Sequence, residues 1–158
     1  MKYREYAEKK QAEFNALPIF FAFSNEQFEK AMNERGLTKD DTDKIYKFGN
    51  TGGFYLKTDA QVIREFMDKP DEFWELAKDD DFLIDAFGYE MDNHEYAINY
   101  YQGDWDVLSV FFKCEWADDK SYVEYISESG CDEEMKSRMI KCYEQARKEH
   151  YRRAENWF

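Results

Sequence analysis

Between residues 58 and 131 the chain carries 20 Asp and Glu residues against 5 Lys and Arg, a local net charge of −15. Such a concentration destabilises a compact state by self-repulsion unless something offsets it. Residues 1–57 hold 9 acids and 10 bases, and residues 132–158 hold 6 and 7, so the middle carries the whole excess behind the formal −13. The densest stretch runs from Asp68 to Glu95, where 11 acids face only Lys69 and Lys78. What offsets the repulsion is aromatic. The 158 residues include 14 Phe, 12 Tyr and 4 Trp, and each buried ring removes a large apolar area from water. A chain with this content is expected to fold as one domain over 1–158 rather than remain disordered.

Periodicity and punctuation give the elements. Tyr3, Tyr6, Ala7, Lys10, Phe14 and Leu17 form one stripe of a helix over 3–16, which Pro18 stops. Ile19 to Phe23 is a short, aromatic-rich apolar run and reads as a central strand buried on both faces. Ser24 to Gln27 has the form of a capping box for a helix ending at Gly36. Lys44 to Phe48 and Gly53 to Lys57 read as a hairpin joined around Gly49-Asn50-Thr51-Gly52, where Gly and Asn supply positive φ. Thr58 to Gln61 reads as a second capping box, opening a helix with Val62, Ile63, Phe66 and Met67 as its apolar face. Pro70 breaks that helix and starts another through Phe73, Trp74, Leu76 and Ala77. Helical spacing resumes after Asp79-Asp80-Asp81 with Phe82, Leu83, Ala86, Phe87 and Met91.

Glu95 to Tyr101 is the best later strand candidate. Helices are expected again from Asp104, including a short one around Tyr122, Tyr125 and Ile126 that ends at Gly130. The last helix is capped by Asp132, with Met135, Met139, Cys142, Ala146, His150 and Ala154 as its buried stripe. The fold class is α+β: a small, mostly antiparallel sheet of 3–4 strands covered by several helices, the C-terminal one long.

The search for catalytic chemistry yields little. The glycine loop at 49–53 lacks the Gly-Lys-Ser/Thr of a phosphate-binding loop. Cys114, Cys131 and Cys142 show no CxxC spacing, and His94 and His150 stand far apart in sequence, so neither a metal site nor a cofactor is expected. His94 reads as a turn or capping residue and His150 as a packed one. Asp79-Asp80-Asp81 lacks the calcium-loop pattern and reads as a helix junction. The N-terminus runs directly into a charged helix, and the longest apolar run, Leu17 to Phe23, falls far below the ~20 residues of a membrane span. A soluble cytoplasmic protein is the expectation.

The acidic segment is more informative. Asp71, Glu75 and Asp79 recur at i, i+4 and i+8, as if along one side of a helix, and like charges there cost about 0.2–0.5 kcal/mol per pair. Together with Glu72, Asp80, Asp81 and Asp85 they form the candidate partner-binding set. Such a row is suited to imitate a phosphate backbone, to be solvated, or to dock the basic C-terminal helix internally.

The stretch Glu13 to Ser24, Lys44-Ile45-Tyr46, Gly52-Gly53-Phe54 and Asn93-His94-Glu95-Tyr96 resemble a family of small acidic proteins from gut Firmicutes and their phages and mobile elements. The resemblance spans residues 10–100 and carries no established activity. It implies an inhibitor of host defence of the anti-CRISPR type. The functional expectation is therefore a non-enzymatic binder of a basic nucleic-acid-binding protein, such as an RNA-guided nuclease, and not of nucleic acid itself. Alternatives are a small carboxylate-dependent hydrolase or other enzyme, and a structural protein that self-associates as a homodimer through its last helix.

Overall fold

The computed structural model describes residues 1–96 and 103–155, which are mostly helical and include a three-stranded antiparallel sheet and a long final helix. The α+β expectation holds. The strand expected over 95–101 lies outside the described residues except for its first two positions, where Glu95 takes a φ of 49° and turns the chain. Among the described residues no helix is long and apolar enough to cross a membrane. The chain divides into two compact units, residues 10–71 and residues 1–9 with 72–158. Helix α1 (Tyr3–Asn15) begins in the second and ends in the first.

In the smaller unit, β1 (Phe20–Phe21), β2 (Ile45–Phe48) and β3 (Gly53–Leu56) lie in the order β1-β3-β2. Register pairs Phe20 with Phe54 and Ile45 with Leu56. These four side chains therefore share one face, which packs on Met32, Phe28 and Leu37 around α2 (Asn25–Glu34). On the other face Phe14 meets the rings of Phe21, Phe48 and Phe66. The Ile19–Phe23 run is thus not a central strand. It pairs only with β3, and Phe21 and Phe23 stay 42% and 75% exposed, because the two-residue strand occupies a sheet edge.

Ser24 caps α2 as expected: its Oγ accepts from the Gln27 amide at 3.2 Å, while Gln27 Oε1 reaches back to Phe23 N at 2.8 Å. Gly36, at φ 73°, closes the far end through Leu37 N donating to Met32 O and its own N–H to Asn33 O. In the hairpin Gly49 and Gly52 take positive φ, but Asn50 does not. Thr58 caps nothing. A single 3₁₀ turn at Lys57–Asp59 precedes α3 (Ala60–Asp68), whose Ile63 is buried while Val62 and Met67 remain exposed. The apolar stripe of α3 is thus narrower than its sequence suggests.

The larger unit is helical: α4 (Phe73–Leu76), α5 (Asp80–Asn93), α6 (Gly103–Leu108), α7 (Tyr122–Ser127) and α8 (Glu133–Glu155). Leu83, Phe87 and Met91 recur every fourth residue along α5 and are fully buried, as are Tyr143 and, nearly so, Met139 and Ala146 of α8. Each large side chain buried this completely contributes about 1.5–3 kcal/mol. The Phe87 and Tyr143 rings meet edge-on at 5.2 Å. Asp132 caps α8 through the Met135 amide at 2.8 Å, as its position predicts.

Candidate partner-binding surface

The three carboxylates spaced at i, i+4 and i+8 do not share a helix. Asp71 precedes α4 and belongs to the smaller unit, Glu75 lies within α4, and Asp79 is the extended N-cap of α5 (φ −94°, ψ 120°). Between the two helices Asp79 is extended, and its side chain caps α5 by accepting from Asp81 N at 2.9 Å, which offsets the amide that the break leaves open.

Most of the remaining set is engaged within the larger unit. Glu72 pairs with Lys9 at 3.1 Å and Glu75 with Lys78 at 2.8 Å. Asp80 Oδ1 accepts from Arg138 Nη2 and Nε at 2.7 and 2.8 Å, while the same Nη2 also donates to Ala77 O at 2.8 Å. Arg138 thereby fastens the start of α8 to the α4–α5 junction. At the other end of α5, Asp92 meets Arg153 at 3.3 Å and His150 Nδ1 at 3.0 Å. The two ends match in sequence direction, so α5 and α8 run parallel, their acids and bases facing each other. Asp85 accepts from Tyr3 N at 2.8 Å. Of the seven, Asp81 is exposed and makes no side-chain contact of this kind among the described residues.

Two carboxylates are used inside. Glu90, 5% exposed, accepts from Tyr3 Oη at 2.9 Å, and His94 Nε2 lies 3.3 Å from it. Asp104 Oδ1 accepts from Tyr96 Oη at 2.6 Å and Tyr143 Oη at 2.7 Å. Burial, and then these carboxylates, hold the Tyr3, Tyr96 and Tyr143 phenols protonated well above their usual range. Cys142, packed against Asp80, has its thiol pushed up to about 11, chiefly by burial, which makes it a poor nucleophile. Among the described residues no three His, Cys, Asp or Glu side chains converge to hold a metal ion.

Internal pairing leaves a surplus. The larger unit has 24 carboxylate residues against 13 Lys and Arg, a net −11, so the two units divide the charge unequally. Part of that surplus gathers on the loop before α7, which the sequence reading passed over. Glu115, Asp118 and Asp119 are exposed there beside Trp116, itself 43% exposed. The loop is tethered: Trp105 Nε1 donates to Cys114 O at 3.0 Å, and Tyr125 Oη both accepts from Ala117 N and donates to its carbonyl. Lys120 pairs with Glu128 at 3.0 Å and also donates to the Glu115 carbonyl at 3.3 Å, which ties the two ends of the loop together. A tryptophan set among acids (Glu-Trp-Ala-Asp-Asp) was the available signal.

A family model described as "Family of unknown function (DUF7659)" matches residues 2–111, and so reaches beyond the 10–100 of the sequence resemblance at both ends. No curated protein and no solved structure matches the chain.

Proposed function

The chain belongs to that family, and we propose that it is a non-enzymatic binding protein whose helical unit docks a cationic protein surface. One observation carries the reading: after internal pairing, the larger unit keeps a net −11, with an exposed tryptophan among its free acids. Tryptophan is enriched at interaction hot spots, and its face attracts Arg and Lys. Surrounding carboxylates steer a positive partner and repel nucleic acid. The partner class is a basic nucleic-acid-binding protein. In its most specific form the proposal is an inhibitor, encoded on a phage or mobile element, that occupies the nucleic-acid groove of an RNA-guided nuclease.

The docking residues shift accordingly from the α4–α5 row to Asp81, Glu115, Trp116, Asp118 and Asp119. Reversing Asp79 would remove a helix cap, which confuses binding with folding. Capture from host lysate at low and high salt should retain basic proteins only at low salt, since screening weakens facing charges. The triple variant Glu115→Lys, Asp118→Lys, Asp119→Lys should lose them while keeping its circular dichroism. Equal capture by the variant would end the proposal.

A further inference from the structure

We propose a second, chemically opposite site: the smaller unit carries a cationic cavity that binds a small phosphomonoester with an apolar body. The cavity, about 280 Å³, is walled by Arg35, Lys44 and Lys57, with Leu37 and Leu56 as its apolar surface and Thr58 at its edge. Asp43 is the one carboxylate among its lining residues. In a chain with 35 acids and 22 bases, a wall of three cations to one acid runs against the background. The size falls just below the usual range of ligand pockets, about 300–1,000 Å³, which restricts the occupant to a small molecule.

The fold holds these cations in place. Arg35 caps the end of α2, its guanidinium 4.0 Å over the Phe20 ring and its Nη1 donating to Ala31 O at 2.8 Å. One edge of the fork is thereby fixed, and the others stay available. Lys57 lies 5.0 Å over the Tyr46 ring at the end of β3. Lys44 closes the 3₁₀ turn before β2, 3.7 Å from Asp41. The Thr38 amide and hydroxyl hold Asp41 Oδ2, lowering its carboxyl below the usual range, while Oδ1 faces Lys44 and keeps its stem at the rim. Two of the carbonyls at the end of α2, those of Met32 and Asn33, accept from the Leu37 and Gly36 amides and are turned to the chain rather than to an anion. Three separately rooted cations match the several oxygens and double charge of a phosphate better than a single carboxylate. Leu37 and Leu56, half-buried beside them, favour an apolar substituent.

The test is amide chemical-shift titration of the full chain with phenyl phosphate, inorganic phosphate and phenol. Phenyl phosphate should give saturable shifts confined to residues around Arg35, Lys44 and 56–58. Inorganic phosphate should bind the same residues more weakly, and phenol should not bind. Lys57→Gln and, separately, Lys44→Gln should each weaken phenyl phosphate by about tenfold, equivalent to about 1.4 kcal/mol. Both side chains are exposed, so the fold should survive, which the unchanged remaining amide spectrum verifies. Lys30→Gln, on α2 outside the cavity, should change nothing. The proposal is overturned by non-saturating shifts, by phenol binding as well as its phosphate, or by equal loss from the Lys30 variant.

Discussion

Asp104 holds two buried phenols with one oxygen, and removing either phenol's hydroxyl should be measurable. Tyr143→Phe keeps the ring that meets Phe87 at 5.2 Å and deletes only the 2.7 Å hydrogen bond. A hydrogen bond to a charged group is worth about 1.5–3 kcal/mol. Asp104 retains Tyr96 Oη at 2.6 Å, so its charge is not stranded and the lower end, about 1.5 kcal/mol, applies. Asp104→Ala removes the acceptor from both phenols and should cost about 3 kcal/mol. The double variant should then cost less than the sum of the two by about 1.5 kcal/mol, since each single change removes the same bond. All four tryptophans lie in the larger unit, so their fluorescence during urea unfolding reports on it. The denaturation midpoint should fall with an unchanged slope, and the melting temperature by about 3–6 °C for Tyr143→Phe. A loss below about 0.5 kcal/mol for Tyr143→Phe, or strict additivity in the cycle, would refute the shared-acceptor account.

Alkaline pH should unfold the larger unit. Tyr3, Tyr96 and Tyr143 have raised folded-state pKa values, so the folded state keeps protons that the unfolded chain releases. Their stabilisation is complete below about pH 10 and falls as pH rises beyond it, by up to about 1.4 kcal/mol per pH unit for each group. Ultraviolet titration should show part of the 12 tyrosines silent until unfolding; smooth ionisation of all of them near pH 10 in the folded protein would contradict this. In the smaller unit, Gly52 combines φ 80° with a Phe23 ring atom 2.5 Å from where a Cβ would stand. The exposed ring can swing aside, so Gly52→Ala should cost about 1–2 kcal/mol from the backbone, seen as faster amide exchange across β2–β3. An equal cost after Phe23→Ala would identify φ as the cause, and full relief would identify the ring.

The candidate site was legible only in part. Charge distribution is a property of composition, so the acidic excess is legible in the sequence itself. Spacing, however, assigns carboxylates to one helix face only if the helix is continuous, and here Asp79 leaves the helical conformation and caps a new helix. Nor does spacing reveal that Arg138 and Arg153, distant in sequence, take up Asp80 and Asp92. The Trp116 loop was overlooked because a single exposed aromatic has no periodicity, and its exposure depends on how Trp105 and Tyr125 anchor the chain around it.

Local chemistry determined the α2 caps, the glycine-bearing hairpin and the long last helix with its buried stripe, because each is set by residues within a few positions of one another. Tertiary structure alone decided that the Ile19–Phe23 run lies at a sheet edge, that Glu72 and Asp80 of the acidic row meet Lys9 and Arg138, and that Arg35, Lys44 and Lys57 line one cavity. Those outcomes depend on which distant surfaces meet, and a side chain's cost or use as a charge is fixed by the neighbours it acquires there.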